Sequence, residues 1–326
     1  MCYDAGGGGW LLTKKIDTRE YNLVGLQMLG ERLNDTHPQK EIIIAKANAA
    51  KAGLRGERRI SEVFAKYTFP FEYLLVENVG LNSNGKFQMD AIFLTPYFLV
   101  ILESKNISGK LFFKQNPALL ERETNEGKID VFESPEIQLS RNIYLLQEWL
   151  GEQVLTVPIH GVIVLSNPKV RVIEPPKKHI AILPQTIPVY LRNLPRETVY
   201  FNSTQMQKFS EKIVVDQQTY IPFPMCARWR IKPEDLISGV RCEKCNFHGM
   251  VKRKNGWTCP ICGHFDKIAH EKAIRDWFML ISDTITNKQC RTFLHLESSE
   301  IAHRLLQSMN LTHTGTSSDR KYKWTW

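Results

Sequence analysis

The chain has 326 residues, enough for two or three compact units, and its 43% hydrophobic and 24% charged residues exclude a disordered or collagen-like protein. The longest apolar run, residues 98–102, falls far short of the roughly 20 residues of a membrane helix, and the opening MCYDAGGGGWLLTKK lacks a secretory pattern, so a cytoplasmic protein with no membrane partner is expected. The net charge of +9 is uneven: residues 1–225 carry 26 basic against 24 acidic side chains and residues 226–326 carry 17 against 10, a bias that suits a polyanion partner or, equally, a basic solvated surface.

In chain order, the glycine run at 6–9 reads as flexible, and residues 19–52 read as helical with a break at Asp35 to Pro38. A helix is expected from about Gly56, with Ile60, Val63, Phe64 and Tyr67 forming one buried stripe. Alternating and apolar runs predict strands at 73–79, 87–94 and 98–102, separated by turn signals at 82–85 and 95–96. Ser134 and Pro135 form an N-cap and first-turn pair for a helix to about Leu150. Strands are expected at 160–165 and 187–191. Residues 216–239, with three prolines, read as a connection. Beyond them come a cysteine module, helices near 271–285, 289–294 and 299–309, the last preceded by Ser298, and two short strands around 314–319. The expected organisation is a helical segment at 1–52, an α/β domain at 53–215, a linker at 216–239, a cysteine module at 240–268 and a small helical unit at 269–326.

Asp90, Glu103 and Lys105 are the most informative residues. On a strand, positions 103 and 105 share a face. A hairpin turning about 96–97 sets Asp90 opposite Glu103, with β-carbons about 4.5–5.5 Å apart, where like charges repel. A hard divalent cation suits such oxygens, and Lys105 supplies a further positive group. Glu57, three residues before Ile60 and seven before Phe64, aligns with the apolar stripe of its helix, although a carboxylate near a helix start is an equally ordinary occurrence. For the other three the ordinary alternative is a Glu–Lys pair at a strand end.

A helix Glu, an Asp on a strand and Glu-x-Lys on the next strand resemble the PD-(D/E)XK nucleases, and within them the nuclease-related domain, NERD. The resemblance covers residues 53–200 and is carried by Gly56–Glu57, the M-D-A-I-F segment around Asp90, L-E-S-K-N around Glu103, and Pro135 with Gln138. Met89 stands where the superfamily name has Pro, and Asn142 where related nucleases sometimes have Tyr. The resemblance implies a restriction-endonuclease-like α/β core, a mixed sheet flanked by helices, that hydrolyses phosphodiester bonds of nucleic acid, DNA foremost. Asp90 and Glu103 would hold Mg²⁺ or Mn²⁺, with Lys105, Glu57 and Gln138 completing the catalytic set. A non-enzymatic binding protein using this fold as a scaffold is the alternative.

Cys242, Cys245, Cys259 and Cys262 form two C-x-x-C pairs thirteen residues apart, the pattern of a structural Zn²⁺ site and similar to a zinc ribbon. A redox pair is the competing reading. Lys252, Arg253 and Lys254, with Trp257 nearby, have the character of a strip that grips a nucleic-acid backbone and stacks on a base, or of a solvated hairpin tip. Three helices and a closing basic hairpin resemble a winged helix, in which Arg304 and Lys321 would meet nucleic acid; a plain helical cap is the alternative.

Overall fold

The structure, a computed structural model, describes residues 2–4, 9–12, 18–151, 157–218, 221–316 and 319–324. The glycines at 6–8 lie outside them. The chain forms two compact units, residues 1–17 with 51–220 and residues 18–50 with 221–326.

The first residues carry two strands rather than helix alone, β1 (Cys2–Asp4) and β2 (Gly9–Leu12), followed by helices α1 (Thr18–Arg32) and α2 (Lys40–Lys66). The break at 35–38 falls between the helices, but α2 does not start at Gly56: it runs through both Gly53 and Gly56, because packing of Ile43, Leu54, Ile60, Val63 and Phe64 outweighs the roughly 1 kcal/mol cost of each mid-helix glycine. Tyr67 lies beyond the helix end and is 44% exposed, outside the expected buried stripe.

Strands β3 (Tyr73–Asn82), β4 (Lys86–Leu94) and β5 (Leu99–Lys105) form an antiparallel meander. Then come β6 (Gly109–Gln115), β7 (Ala118–Glu123) and β8 (Ile129–Glu133), helix α3 (Pro135–Leu150), and strands β9 (Ile159–Leu165), β10 (Val170–Glu174) and β11 (Ile180–Ile182). The main sheet has the order β1-β2-β3-β4-β5-β9-β11, and a second sheet the order β10-β6-β7-β8. Residues 187–191, expected as a strand, form helix α4 (Ile187–Asn193). Pro188 sits in its first turn, where a missing N–H costs nothing. Helix α5 (Ser203–Asp216) closes the unit behind an Asn202–Gln205 capping box.

Side-chain alternation splits the sheet's two faces cleanly. Leu74, Val76, Ile92, Leu94, Leu99 and Ile101 share one core with α3 and α5. Their neighbours Tyr73, Leu75, Phe93, Val100 and Leu102 share the other with α2 and α4.

In the second unit, α6 (Met225–Trp229) lies inside the stretch expected to be a linker. Met225, Cys226, Ile231 and Leu236 are buried with Leu26 and Leu29 of α1 and with Leu33 just past it, so the stretch expected at 216–239 is not a free connection over 225–236: its prolines interrupt helices while its apolar residues still pack. Next come β12 (Val251–Arg253), β13 (Gly256–Thr258) and β14 (Phe265–Asp266), then α7 (Ala269–Leu280), β15 (Thr284–Thr286), α8 (Asn287–Leu294), α9 (Ser299–Ser308), β16 (Thr312–Thr314) and β17 (Lys321–Lys323). Ser298 caps α9 through the Glu300 and Ile301 amides. Because β15 pairs with β17 in a β15-β17-β16 sheet, the order helix, strand, helix, helix, hairpin is that of a winged helix. Arg32 ties α1 to this unit from a fully buried position: its guanidinium meets Asp276 Oδ2 at 2.7–2.8 Å and donates to the carbonyl of Ile237 at 2.7 Å. Among the described residues, no helix is long and apolar enough to cross a membrane.

Candidate active site and metal centre

The β4–β5 register pairs Leu94 with Leu99 and Ala91 with Leu102, and one further step sets Asp90 opposite Glu103. Asp90 shares strand parity with Ile92 and Leu94, and Glu103 and Lys105 with Leu99 and Ile101. All three therefore belong to the face covered by α3, and α3 contributes Gln138. Lys105 Nζ donates to Glu103 Oε1 and to Gln138 Oε1, both at 2.9 Å, while Gln138 Nε2 donates to the same Glu103 oxygen at 2.5 Å. The Ser104 amide donates to Asp90 Oδ2 at 2.8 Å.

Glu103 is 4% exposed, and its Oε2 is buried with no hydrogen-bond partner among the described residues. Burial and the neighbouring Asp90 charge push its pKa up to about 7, against the opposing pull of Lys105 and Gln138. A buried carboxylate oxygen left over beside a second carboxylate is what a cation would satisfy, and an all-oxygen donor set suits Mg²⁺ or Mn²⁺. Asp90 and Glu103 therefore fit a divalent ion.

Glu57 arrives by another route. Its helix covers the opposite face of the sheet, and the contact that seats it there is made by small residues. A β-carbon on Gly56 would lie 2.8 Å from Ser104 Oγ and 2.9 Å from Asn106 Cβ, so only glycine lets α2 approach the end of β5 this closely. Ser166, just past β9, donates to the Gly56 carbonyl at 3.1 Å and meets Ser104 Oγ at 2.7 Å. Asn106 Nδ2 donates to the Ala52 carbonyl at 2.8 Å, and Asn106 Oδ1 accepts from Asn167 Nδ2 at 2.9 Å. Glu57, half-buried, follows directly on this latch. Sequence reasoning missed Ser104, Asn106, Ser166 and Asn167; the readable signal was a serine and an asparagine past the apolar run of each of two strands, S-x-N at the end of β5 and S-N directly after β9. It also missed two residues that shape β4. Asn142, fully buried on α3, donates to the Gln88 carbonyl at 2.9 Å, and Asn78, with φ of 51°, breaks the β3 ladder at the position opposite Asp90. Asparagine is among the few side-chain-bearing residues that tolerate that left-handed conformation.

In the second unit, the ligand atoms of Cys242, Cys245, Cys259 and Cys262 all lie within 4.8 Å of one another, and two sulfur pairs are 3.5 and 3.6 Å apart. Thiolates at about 2.3 Å from one tetrahedral zinc stand about 3.8 Å apart, so the set fits Zn²⁺ with no ligand position left open. Among the described residues this is the one cluster of three or more His, Cys, Asp or Glu with ligand atoms so close.

The basic residues divide. Arg253, Lys254, Arg304 and Lys321 are exposed, whereas Lys252 is half-buried with its Nζ 6.0 Å from the centre of the Trp257 ring. Trp257 is 1% exposed and its Nε1 donates to His270 Nδ1 at 3.2 Å, so it cannot stack on a base as expected: the indole completes the core beneath the hairpin.

Paired acids and a lysine at the end of a mixed sheet flanked by helices define a nuclease-like α/β domain. Residues 52–166, about a third of the chain, match the family model of NERD, the nuclease-related domain. No curated protein and no solved structure matches the chain.

Proposed function

We propose that the protein is a metal-dependent nuclease that hydrolyses phosphodiester bonds of nucleic acid, DNA foremost, and that its zinc-ribbon and winged-helix unit delivers it to that substrate. The observation that carries this reading is the Asp90–Glu103 pair on one sheet face, with Lys105 and Gln138 locked to one Glu103 oxygen and the other oxygen left without a partner. Mg²⁺ or Mn²⁺ held by Asp90 and Glu103 would polarise the scissile phosphate and lower the pKa of a bound water.

The chain's own groups supply the rest. Gln138 and Lys105 fix the rotamer of Glu103 through Oε1, which leaves Oε2 for the ion. The Ser104 amide fixes Asp90 in the same way. Lys105 places a positive charge where negative charge builds on the phosphate oxygens in the transition state, and because Glu103 and Gln138 already hold it, no reorganisation is needed at the moment of reaction. Glu57, brought to the strand ends by Gly56, orients the attacking water.

The test incubates the full chain with single- and double-stranded DNA and RNA, with Mg²⁺, with Mn²⁺, or without added divalent ion. Cleavage that requires the ion and disappears in Asp90→Ala supports the proposal. Binding without cleavage under every condition would overturn it in favour of a nucleic-acid-binding scaffold.

A further inference from the structure

The zinc ribbon and the winged helix share one core. Met250, Trp257 and Cys259 from the ribbon are buried in a single cluster with Ala273 and Trp277 of α7 and Ala302 and Leu306 of α9. The ribbon hairpin is therefore fixed against the helices rather than tethered beside them. Its shape is equally constrained. Arg253 pairs with Gly256, leaving Lys254 and Asn255 as the turn, and a β-carbon on Gly256 would meet the Phe265 ring at 2.6 Å and the Asp266 carbonyl at 2.8 Å. Lys252 Nζ donates back to the carbonyls of Arg253 and Gly256, so the lysine lies along the hairpin instead of extending into solvent.

Lys252, on the hairpin, and Arg304, on α9, are thus carried by elements anchored in one core. Partial burial, and then the charge of Arg304 on α9, pull the Lys252 ammonium below its ordinary value. Arg304 also borders an open groove of about 600 Å³ lined by Lys288, His303 and Arg320, with Glu300 the one acid among its described lining residues. Arg320 Nε, at this groove, is buried with no acceptor among the described residues. Cations kept side by side repel, and a preorganised pair gains most from an anion that neutralises both at once.

We propose that the β12–β13 hairpin is a second wing of the C-terminal unit, in which Lys252 and Arg304 grip neighbouring phosphates of one nucleic-acid backbone while Arg253 and Lys254 extend the contact at the tip; this rests on the reading that the unit delivers the chain to nucleic acid. The backbone runs from the Arg320 groove across Arg304 to the ribbon. The ligand is thus a strand spanning several phosphates, and the zinc holds part of the binding surface in place.

The experiment measures binding of labelled duplex DNA across a salt titration by full-length Glu103→Gln without added divalent ion, so that neither cleavage nor its absence affects the reading. Lys252→Gln keeps the stem and a donor but removes the charge. Arg304→Gln does the same on α9, and Lys46→Gln removes an exposed charge elsewhere in the unit. One zinc per chain in each variant checks that the ribbon is intact. Lys252→Gln and Arg304→Gln should each flatten the slope of log K against log salt by about 0.9, one phosphate contact apiece, while Lys46→Gln leaves it unchanged. If Arg304→Gln weakens binding and Lys252→Gln keeps the parent's affinity and slope, the second wing is wrong and delivery by the winged helix stands. If the parent does not bind at all, both fall, and the nuclease reading is still judged separately by cleavage.

Discussion

At the acidic site, two carboxylates and a lysine stand on one sheet face, and one oxygen of the buried Glu103 is left without a partner. At the cysteine cluster, four sulfurs lie within 4.8 Å of one another. The first arrangement leaves a buried carboxylate oxygen to be satisfied; the second offers four thiols, a full ligand set for one zinc. On the proposed reading an ion at the acidic site would serve chemistry at little benefit to the fold, whereas an ion among the cysteines would serve the fold. The surroundings agree with this division. Glu103 is held by side-chain hydrogen bonds that orient it, while the cysteines sit on a core containing Trp257 and Met250, which depends on the ribbon keeping its shape.

The sharpest way to break this contrast is to exchange effects between the sites. Glu103→Gln keeps the size and hydrogen-bonding capacity of the side chain but removes a metal ligand. Cleavage should fall by more than about 100-fold, since loss of residues that merely support a ligand already costs 10–100-fold. Thermal unfolding of the metal-free protein should stay level or rise, because a buried charge has been removed. A large drop in melting temperature with activity retained would reverse the assignment.

Cys259→Ser tests the other half. Zinc content should fall well below one per chain. The second unit should melt more than about 10 °C lower, since structural zinc contributes several kcal/mol and each kcal/mol moves the melting temperature by roughly 2–8 °C. Cleavage of short substrates at saturating concentration should remain within about threefold of the parent, because the acidic site belongs to the other unit. Stability equal to the parent's would mean that the cysteines do not hold the fold.

The two sites were legible in the sequence for different reasons. The cysteines announce themselves by spacing alone. The Asp90–Glu103 pairing follows from two-residue strand periodicity and a tight turn, which fix register once the hairpin is recognised. What escaped was set by contacts distant in sequence. Gly56 reads as a helix start until Ser104 and Asn106 are packed against it, and Ile187 to Leu191 is as apolar as a strand until Pro188 takes a first-turn position. Strands β6, β7 and β8 mix charged with apolar residues, and the role of β6 and β7 emerges only when Leu111, Phe113 and Leu120 join the α3 core. Trp257 beside three cations suggested a stacking platform, but neighbouring positions in a sequence do not reveal which side of a hairpin faces the core.

A smaller effect sharpens the comparison through pH. Without metal, burial and then Asp90 hold the Glu103 pKa at about 7, above its ordinary value near 4.3 in an unfolded chain. The folded state then binds the proton more tightly than the unfolded state. The resulting stabilisation is fully present below about pH 4.3 and is lost as pH rises through about 7, at up to about 1.4 kcal/mol per pH unit in between. Metal binding needs the carboxylate, so it runs the opposite way: affinity for Mn²⁺ should rise about tenfold per unit up to pH 7 and level off above it. Melting the full chain with and without Mn²⁺ at pH 5.5, 6.5, 7.5 and 8.5 should show an ion-induced shift that grows and then saturates. Glu103→Gln, which has no proton to release at this position, should show no growth with pH below 7. Because each pH compares the same chain with and without Mn²⁺, the contribution of the cysteine site cancels in the shift. A Mn²⁺ shift independent of pH in the parent would mean that Glu103 is already ionised without metal, and that the leftover oxygen is not what binds the ion.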